Sequence, residues 1–311
     1  MAKSKDVDLS GLAVVITGAS SGIGRAAART FAESGASVLA VARSSEGLDD
    51  LVQQTQGCPG TVIGSTLDVR DADAMEDLVP KAIRAFGRLD IWVNNAAVTS
   101  LAKFWEFPPE EIGRVIDTNV YGYINGTRAA INHFRSQGRG VLINNASLLA
   151  RVPQPYVSPY VMSKHAIRGL TSSLRQEIQL EKLPNIHVCA VLPGPIDTPL
   201  FQHAGTRVGH PVKAMPPVYD VDKAAAAIVA VAAHPRRETF VGNAARMIAV
   251  QHFFAPRLTE RMLGFWTSRL HVRRNASAPQ SAGNLFDSLP PYAESGGWTA
   301  VGTQKEVVRS G

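Results

Sequence analysis

Short apolar runs alternate with longer helix-patterned stretches over most of the chain, and this alternation constrains the fold more than any other feature. The strand candidates are rich in β-branched residues and lie at 12–17, 37–42, 61–67, 90–95, 140–145, 186–192 and 239–242. The helix-patterned segments between them lie at 23–33, 71–86, 109–134, 157–181 and 222–233. Nearly continuous apolar strands separated by helices favour a parallel sheet covered on both faces. The sequence therefore predicts a doubly wound α/β domain.

The composition changes near Gln251, which divides the chain into a predicted domain over 1–250 and a C-terminal extension over 251–311. Residues 253–274 have the pattern of an amphipathic helix with a basic end, and residues 275–304 are rich in Gly, Pro, Ser and Ala, which predicts an irregular tail. The helix has three interpretations: it packs on the core or on a neighbouring subunit, it closes over a substrate site, or it lies on a membrane surface. Its apolar face is short, which favours packing over membrane contact.

Charge and cysteine content exclude several classes of protein. The 32 Lys and Arg residues outnumber the 26 Asp and Glu residues, but they are scattered apart from Arg269, Arg273 and Arg274, so no nucleic-acid partner is predicted. Cys58 and Cys189 are too few for a disulfide framework or a cysteine-based zinc site, which favours the cytoplasm. The eight His residues lack metal-ligand spacing, so no metal is expected. No run approaches the roughly 18 apolar residues of a membrane span.

The first strand runs directly into TGASSGIG, between a buried strand and the start of a helix. Glycine permits a tight turn and close approach of backbone N–H groups to a pyrophosphate, and the positive end of the helix dipole favours that anion. The spacing is G-x-x-x-G-x-G rather than the commoner G-x-G-x-x-G. The sequence predicts a dinucleotide cradle formed by Gly18, Ser20, Ser21, Gly22, Ile23 and Gly24.

The end of the second strand bears on the choice of dinucleotide. A ribose with a free 2′-hydroxyl favours a carboxylate at this point, whereas a 2′-phosphate favours a cation. Here the strand ends in Arg43 and Ser44, and no acidic residue follows before Glu46. Because an arginine fork pairs strongly with phosphate, we predict NADP(H) rather than NAD(H).

Further motifs follow the glycine-rich turn in a fixed order. They are Asp68-Val69 after the third strand, NNAA at 94–97, Asn119 in DTNVYG, Ser147 after the fifth strand, YVMSK at 160–164 and LPGPIDTP at 192–199. Together they closely resemble the short-chain dehydrogenase/reductase family, in its branch with the shorter subunits. The resemblance covers about residues 10–245, and Ala97 departs from the glycine that the family usually has there. It implies a Rossmann fold, an oxidoreductase activity and a homodimer or homotetramer.

Tyr160 and Lys164 are four residues apart on one predicted helix and therefore share a face. A nearby ammonium favours the phenolate, so Tyr160 can accept a proton when an alcohol is oxidised and donate one when a carbonyl is reduced. Ser147, at the carboxyl end of a strand, can hydrogen-bond the substrate oxygen and stabilise charge that develops there.

The resemblance assigns roles to the remaining candidates. Asn119 would hold a water that links Lys164 to solvent, and Lys164 would also hold the nicotinamide ribose. Asp68 and Val69 would contact the adenine, and Asn95 would line the cofactor cleft. The nicotinamide carboxamide would be set by Pro193, Gly194 and Thr198.

The substrate is predicted from the segment after Thr198 and from the residues that follow Ser147. Apolar side chains dominate both: Leu200, Phe201, Val208, Met215, Val218, Leu148, Leu149 and Val152. This favours a hydrophobic ketone or secondary alcohol over a phosphorylated or carboxylate substrate. Two alternatives stay open: a non-catalytic dinucleotide sensor or scaffold, and an NAD(H)-dependent dehydrogenase of the same family.

Overall fold

A computed structural model of the chain describes residues 7–271 and 277–299. Nine strands lie in this part of the chain: β1 (Ala13–Thr17), β2 (Ser37–Ala42), β3 (Val62–Thr66), β4 (Ile91–Asn94), β5 (Ser100–Leu101), β6 (Gly140–Asn145), β7 (Ile186–Pro193), β8 (Gly205–Thr206) and β9 (Glu238–Val241). Seven of them form one parallel sheet in the order β3-β2-β1-β4-β6-β7-β9, and β5 pairs with β8. The seven predicted strands are these seven, so the predicted doubly wound sheet is confirmed.

The α-helices of the described residues run between and after the strands. They are α1 (Gly22–Glu33), α2 (Ser45–Gln54), α3 (Ala72–Glu76), α4 (Leu78–Phe86), α5 (Pro109–Ile116), α6 (Gly122–Gln137), α7 (Ser158–Leu180), α8 (Leu200–His203), α9 (Val221–Ala233), α10 (Asn243–Phe254) and α11 (Pro256–Trp266). Helix α2 has no counterpart in the prediction. The predicted helix over 71–86 is divided between α3 and α4.

The two faces of the sheet bury different sets of side chains, as the alternation along a strand requires. Val14 and Ile16 pack with the alanine-rich helices α1 and α9, where Ala27 and Ala224 are fully buried. Val15 and the fully buried Trp92 pack on the other side, with residues of α4 and α6. Small side chains on the first side let the helices lie close to the sheet.

The direction in which successive strands are added to the sheet reverses at β1. This strand pairs with β2 on one side and with β4 on the other. In sheets of this type, a crevice opens at the carboxyl ends of the strands at such a reversal. The fold therefore directs the ends of β1, β2, β4 and β6 toward one cleft.

Helix α10 crosses residue 251, the predicted start of the extension, and meets α11 at Ala255 and Pro256. The sequence pattern had placed one helix over 253–274, but Pro256 starts a new helix because proline lacks the N–H that would continue the previous one. A π-helical turn (Thr267–His271) follows α11, and Arg273 and Arg274 lie outside the described residues. Residues 277–299 contain no helix, and they join the rest of the structure through a bridge between Ser281 and Thr206.

Candidate active site

The glycine-rich turn is shaped by contacts that only glycine allows. Gly18 has φ +68°, and a Cβ there would lie 2.7 Å from the Cα of Ala96. A Cβ on Gly24 would lie 2.1 Å from the carbonyl oxygen of Gly18. Ser21 caps α1 without a side-chain hydrogen bond, so its side chain leaves the backbone N–H groups at this helix end for other partners. The turn is therefore built as an anion site at a helix N-terminus.

Asn95 ties the glycine-rich turn to the neighbouring strands. Its Nδ2 donates to the carbonyl oxygens of Thr17 (3.0 Å) and Gly18 (3.1 Å). Its Oδ1 accepts from Nδ2 of Asn145 at 2.8 Å. One amide thus fixes the end of β1 relative to the end of β6, which carries Ser147 two residues later.

Ser147, Tyr160 and Lys164 come together on one wall of the cleft. Ser147 follows β6 and accepts a hydrogen bond from the N–H of Leu149 at 3.0 Å. Tyr160 and Lys164 lie in the first turns of α7, and Nζ of Lys164 is 5.4 Å from the Tyr160 ring centroid. The Ser147 side chain lies close enough to Tyr160 to lower the pKa of its hydroxyl. The three residues predicted to carry the chemistry are therefore adjacent.

Burial changes the pKa values of both Tyr160 and Lys164. It raises the pKa of Tyr160 to about 12, an effect that the Ser147 side chain partly opposes. It lowers the pKa of Lys164 to about 7, because a buried ammonium loses its hydration. Lys164 is 2% exposed, and its Nζ donates to the carbonyl oxygen of Asn145 at 3.0 Å. At neutral pH this lysine is poised between its charged and neutral forms.

Tyr123 is a residue of the site that the sequence reasoning missed. Its hydroxyl donates to the carbonyl oxygen of Asn145 at 2.8 Å and lies 3.4 Å from Nζ of Lys164. Burial raises its pKa further above the ordinary value of 10.0, so Tyr123 remains a neutral partner of Lys164. Its position four residues after Asn119, on the same helical face, is the signal that could have found it.

Asn119 lies in a π-helical turn (Asp117–Tyr121) between α5 and α6, away from the cavity wall. Its Oδ1 accepts from the N–H of Val98 at 2.8 Å, and its Nδ2 donates to the Val98 carbonyl at 3.0 Å and to Oγ of Ser163 at 3.1 Å. These bonds hold its side chain between β4 and α7. Turns of this kind interrupt α-helices most often at functional sites.

The ends of β2 and β3 form the opposite end of the cleft. Arg43 and Ser44 line it, and the hydroxyl of Ser44 accepts from the N–H of Gly47 to cap α2. Asp68 forms an ion pair with Arg70, with Nη2 and Oδ2 2.8 Å apart. Val69 also lines the cleft, where it packs against Gly122.

Pro193 ends β7, Gly194 and Thr198 follow it, and all three line the cleft. All the predicted cradle residues line it as well except Gly24, which lies beneath Gly18. The cavity measures about 510 Å³. Of the side chains predicted for the substrate pocket, six line it: Leu148, Leu149, Val152, Leu200, Phe201 and Met215. Val208 and Val218 are not part of this wall, and Val208 packs beside Leu101 instead.

The tail over 284–299 crosses the same cleft, which no motif had indicated. The guanidinium of Arg43 donates to the carbonyl oxygens of Asn284 (2.7 Å), Leu285 (3.3 Å) and Phe286 (3.1 Å). Farther along, the carbonyl oxygen of Ala293 accepts from the N–H of Gly22 at 2.9 Å. The tail therefore forms an outer wall along the cofactor side of the cavity.

Asp197 anchors the end of this tail. Its carboxylate accepts from the hydroxyls of Ser295 (2.9 Å) and Thr299 (2.7 Å) and from the N–H groups of Gly296 (3.0 Å) and Trp298 (2.8 Å). Burial alone would raise the pKa of Asp197, but these hydrogen bonds together hold it below its ordinary 3.8. Asp197 lies in the LPGPIDTP motif, so the tail is attached directly beside the predicted nicotinamide end.

Comparison with known proteins identifies the family. A family model described as short chain dehydrogenase matches residues 12–208. The chain belongs to the short-chain dehydrogenase family. It is 36% identical over 277 residues to an uncharacterised oxidoreductase, YxnA, of Bacillus subtilis, an alignment that covers 88% of this chain and 78% of the relative. As a short-chain dehydrogenase, the protein is an oxidoreductase that uses a nicotinamide dinucleotide.

Other short-chain dehydrogenases resemble a smaller part of the chain. A 3-oxoacyl-(acyl-carrier-protein) reductase, FabG, of Thermotoga maritima is 36% identical over 194 residues, which are 62% of this chain and 78% of the relative. Among solved structures, a short chain dehydrogenase from Mycobacterium paratuberculosis bound to NAD has a TM-score of 0.68 and 25% identity, and it covers 77% of this chain and 99% of its own. The family and fold predictions are thus confirmed.

The residues present fit such a cofactor. The cavity runs from Arg43 and Asp68, past the glycine-rich turn, to Ser147 and Tyr160. A Cβ on Gly18 or Gly24 would clash with Ala96 or with the Gly18 carbonyl, so glycine at both positions keeps the shape of the turn that borders the cavity. Among the described residues, no group of three or more His, Cys, Asp or Glu side chains is placed to bind a metal ion. In the same part of the chain, no helix is both long and apolar enough to cross a membrane.

Proposed function

We propose that this short-chain dehydrogenase is an NADP(H)-dependent oxidoreductase that interconverts a hydrophobic ketone and the corresponding secondary alcohol. The observation that carries the proposal is the meeting of Ser147, Tyr160 and Lys164 on the cavity wall, where the Ser147 side chain lowers the pKa of Tyr160 and Lys164 lies beside the Tyr160 ring. When bound, the nicotinamide supplies or accepts the hydride. Side chains of the protein donate or accept the proton.

Tyr160 donates or accepts that proton. In reduction its hydroxyl donates to the substrate oxygen, while the Ser147 hydroxyl hydrogen-bonds the same oxygen and stabilises the charge that develops on it. In oxidation Tyr160 accepts the alcohol proton, and for this it must first lose its own. A pKa of about 12 is too high for an effective base at neutral pH, so a positive charge nearby is needed to lower it.

Lys164 can supply that charge when it is protonated, and it can also hold the nicotinamide ribose. Its pKa of about 7 lets it take up and release protons near neutral pH. Asn119 is the residue we propose to connect Lys164 to solvent through a bound water. The fixed position of its amide between Val98 and Ser163 supports this role.

The preference for NADP(H) is supported by the arginines at this end of the cleft. Burial is the main effect that lowers the pKa of the Arg43 guanidinium; among the charges nearby, Asp68 and Asp287 raise that pKa, whereas Arg114 and Arg70 lower it. A 2′-phosphate would offer Arg43 a charged partner and would compete with the tail carbonyls for its donors, since charge-assisted hydrogen bonds are roughly twice as strong as neutral ones. NAD(H) is the alternative, because those carbonyls already satisfy Arg43 in the protein alone.

The substrate class is supported by the apolar wall beyond Tyr160. To the predicted side chains the structure adds Met247, Ile248, Met262, Leu263 and Trp266, from α10 and α11. Transfer of a hydrophobic ketone from water to such a wall costs little free energy. A carboxylate or phosphate would lose its hydration there without gaining a polar partner. A 3beta-hydroxysteroid dehydrogenase of Eggerthella lenta, which is 36% identical over 195 residues covering 62% of this chain and 74% of its own, is a relative whose substrate class agrees.

We also propose that the enzyme works in the cytoplasm as a homodimer or homotetramer. Cys58 and Cys189 are both free thiols, which supports a reducing compartment. The proposed oligomeric state rests on the family resemblance, because family members are commonly dimers or tetramers. A mass measurement in solution tests it.

The experiment that tests the proposal compares matched substrates. Oxidation of NADPH is followed with a hydrophobic ketone and with a keto acid of the same chain length. Turnover of the ketone with little turnover of the acid is expected. Binding of NADPH without turnover of any carbonyl or alcohol would contradict the proposal and favour the non-catalytic sensor or scaffold.

A further inference from the structure

Helices α10 and α11 present large apolar side chains to solvent. On α10 the exposed fractions are 71% for Met247, 52% for Val250, 77% for Phe253 and 78% for Phe254. Residues 247, 250 and 254 follow the spacing of one helical face, opposite the face on which Ala245 and Ile248 pack into the core. Such exposure is well beyond what isolated surface residues show, and it requires an explanation.

The second helix continues this surface. Leu258 is 60% exposed and Phe265 is 54% exposed, whereas Leu263, on the opposite face of α11, is buried. The sequence pattern indicates only a short apolar face, because it predicts a single helix over 253–274. Two consecutive helices instead each carry exposed apolar side chains, which together we call the α10–α11 face (Met247, Val250, Phe253, Phe254, Leu258 and Phe265).

Basic residues predominate on these helices. Arg246, Arg257, Arg261 and Arg269 are all exposed, and Glu260 is the only acidic residue between 243 and 271. The guanidinium of Arg269 lies 4.9 Å from the Phe265 ring centroid. A surface that combines aromatic side chains with four arginines and a single carboxylate is complementary to the headgroups and acyl chains of an anionic bilayer.

The same helices form part of the wall of the catalytic cavity. Ile248 and Leu263 line it from their inner faces. Met247 and Trp266 line it as well, although they are 71% and 36% exposed, so the cavity meets the surface between these two residues. The α10–α11 face therefore borders an opening of the cavity at Met247.

From these observations we propose that the α10–α11 face docks the protein on an anionic lipid bilayer, with the mouth of the catalytic cavity against the membrane. Docking is peripheral. It places Phe253, Phe254 and Phe265 at the level of the acyl chains and the arginines among the headgroups. A further consequence, which rests on the proposed function, is that a hydrophobic ketone reaches Tyr160 from the bilayer without crossing water.

The test is co-sedimentation of the full-length protein with vesicles of phosphatidylglycerol and, separately, of phosphatidylcholine. We expect binding to the anionic vesicles that weakens as salt is raised, and much weaker binding to the zwitterionic ones. Phe253→Ser/Phe254→Ser should reduce affinity for anionic vesicles at least about 10-fold. Arg257→Gln/Arg261→Gln should reduce it by roughly fivefold for each charge removed.

Leu180→Ser is the matched control, because Leu180 is 82% exposed at the end of α7, before the amino end of β7, whereas α10 follows the carboxyl end of β9. Its binding should equal that of the unchanged protein. Protein that stays in the supernatant with anionic vesicles would overturn the proposal, as would equal binding by the Phe253→Ser/Phe254→Ser variant. A mass in solution that falls by half in that variant, without vesicle binding by the unchanged protein, would show that the face joins two copies of this chain.

Sedimentation needs no turnover, so its result is independent of the proposed reaction. Where both hold, the KM for a ketone dissolved in anionic vesicles should rise at least about 10-fold in the Phe253→Ser/Phe254→Ser variant. The KM for a short, water-soluble ketone should not change.

Discussion

The edge of the sheet and the C-terminal extension build the cleft in different ways. At the sheet edge, short motifs lie at strand ends, and the fold alone brings Gly18, Asn95, Ser147 and Tyr160 to one place. In the extension, the contacts are made by backbone carbonyls and scattered side chains, such as the carbonyl of Asn284 on Arg43. The first region is recognisable because its chemistry fixes residue types. The extension instead depends on the path of its backbone, and many different sequences can adopt the same path.

The strongest test of the sheet-edge half of this comparison is Tyr160→Phe. The substitution removes the hydroxyl that we propose donates or accepts the proton, and general acid–base groups contribute about 10²–10⁴-fold to rate. We expect kcat to fall by about 10³-fold while the Kd for NADPH changes less than about twofold. Retention of a substantial fraction of kcat would remove Tyr160 from this role.

For the extension, the sharpest change is Asp197→Asn. The carboxylate accepts hydrogen bonds from four residues of the tail, and its loss should free the tail from the nicotinamide end. Because bonds to a charged group contribute about 1.5–3 kcal/mol each, we expect NADPH to dissociate at least about 10-fold faster, as measured by stopped-flow fluorescence.

Asp220→Asn is the control for that measurement, since Asp220 caps α9 and asparagine can cap equally well. Its dissociation rate should equal that of the unchanged protein. Equal rates in Asp197→Asn and the unchanged protein would mean that the tail covers the cleft without retaining the cofactor.

The smallest expected effect concerns stability at the sheet edge. Burial lowers the pKa of Lys164 from 10.5 to about 7, so the unfolded chain binds more protons than the folded one between these pH values. The free energy of unfolding should therefore rise with pH from about 7 to 10.5 on account of this group.

Lys164→Met tests this effect, because it removes both the buried ammonium and its pH dependence. The variant should lose turnover yet melt several degrees higher at neutral pH, at about 2–4 °C per kcal/mol for a large domain. Its melting temperature should also rise less steeply with pH than that of the unchanged protein. A lower melting temperature would mean that the hydrogen bond to Asn145 outweighs the cost of burying the charge.

The sequence predicted the sheet because its strands are nearly continuous in apolar residues, and it predicted Ser147, Tyr160 and Lys164 because their spacing is set by one strand end and one helix. It did not predict Tyr123, whose role depends on how α6 packs beside α7. Nor did it predict the path of residues 284–299, since hydrogen bonds from Arg43 to backbone carbonyls leave no pattern in side chains. The break at Pro256 was visible in the sequence, and the helical periodicity on either side obscured it.

The most direct test of the account is a pair of fluorescence titrations, with NADPH and with NADH, on the unchanged protein and on Arg43→Asp. The account predicts that NADPH binds more tightly than NADH at least about 10-fold, which corresponds to one charge-assisted pairing with the 2′-phosphate. In Arg43→Asp this preference should be lost or reversed. An equal or stronger affinity for NADH in the unchanged protein would contradict the account and leave the tail carbonyls as the permanent partners of Arg43.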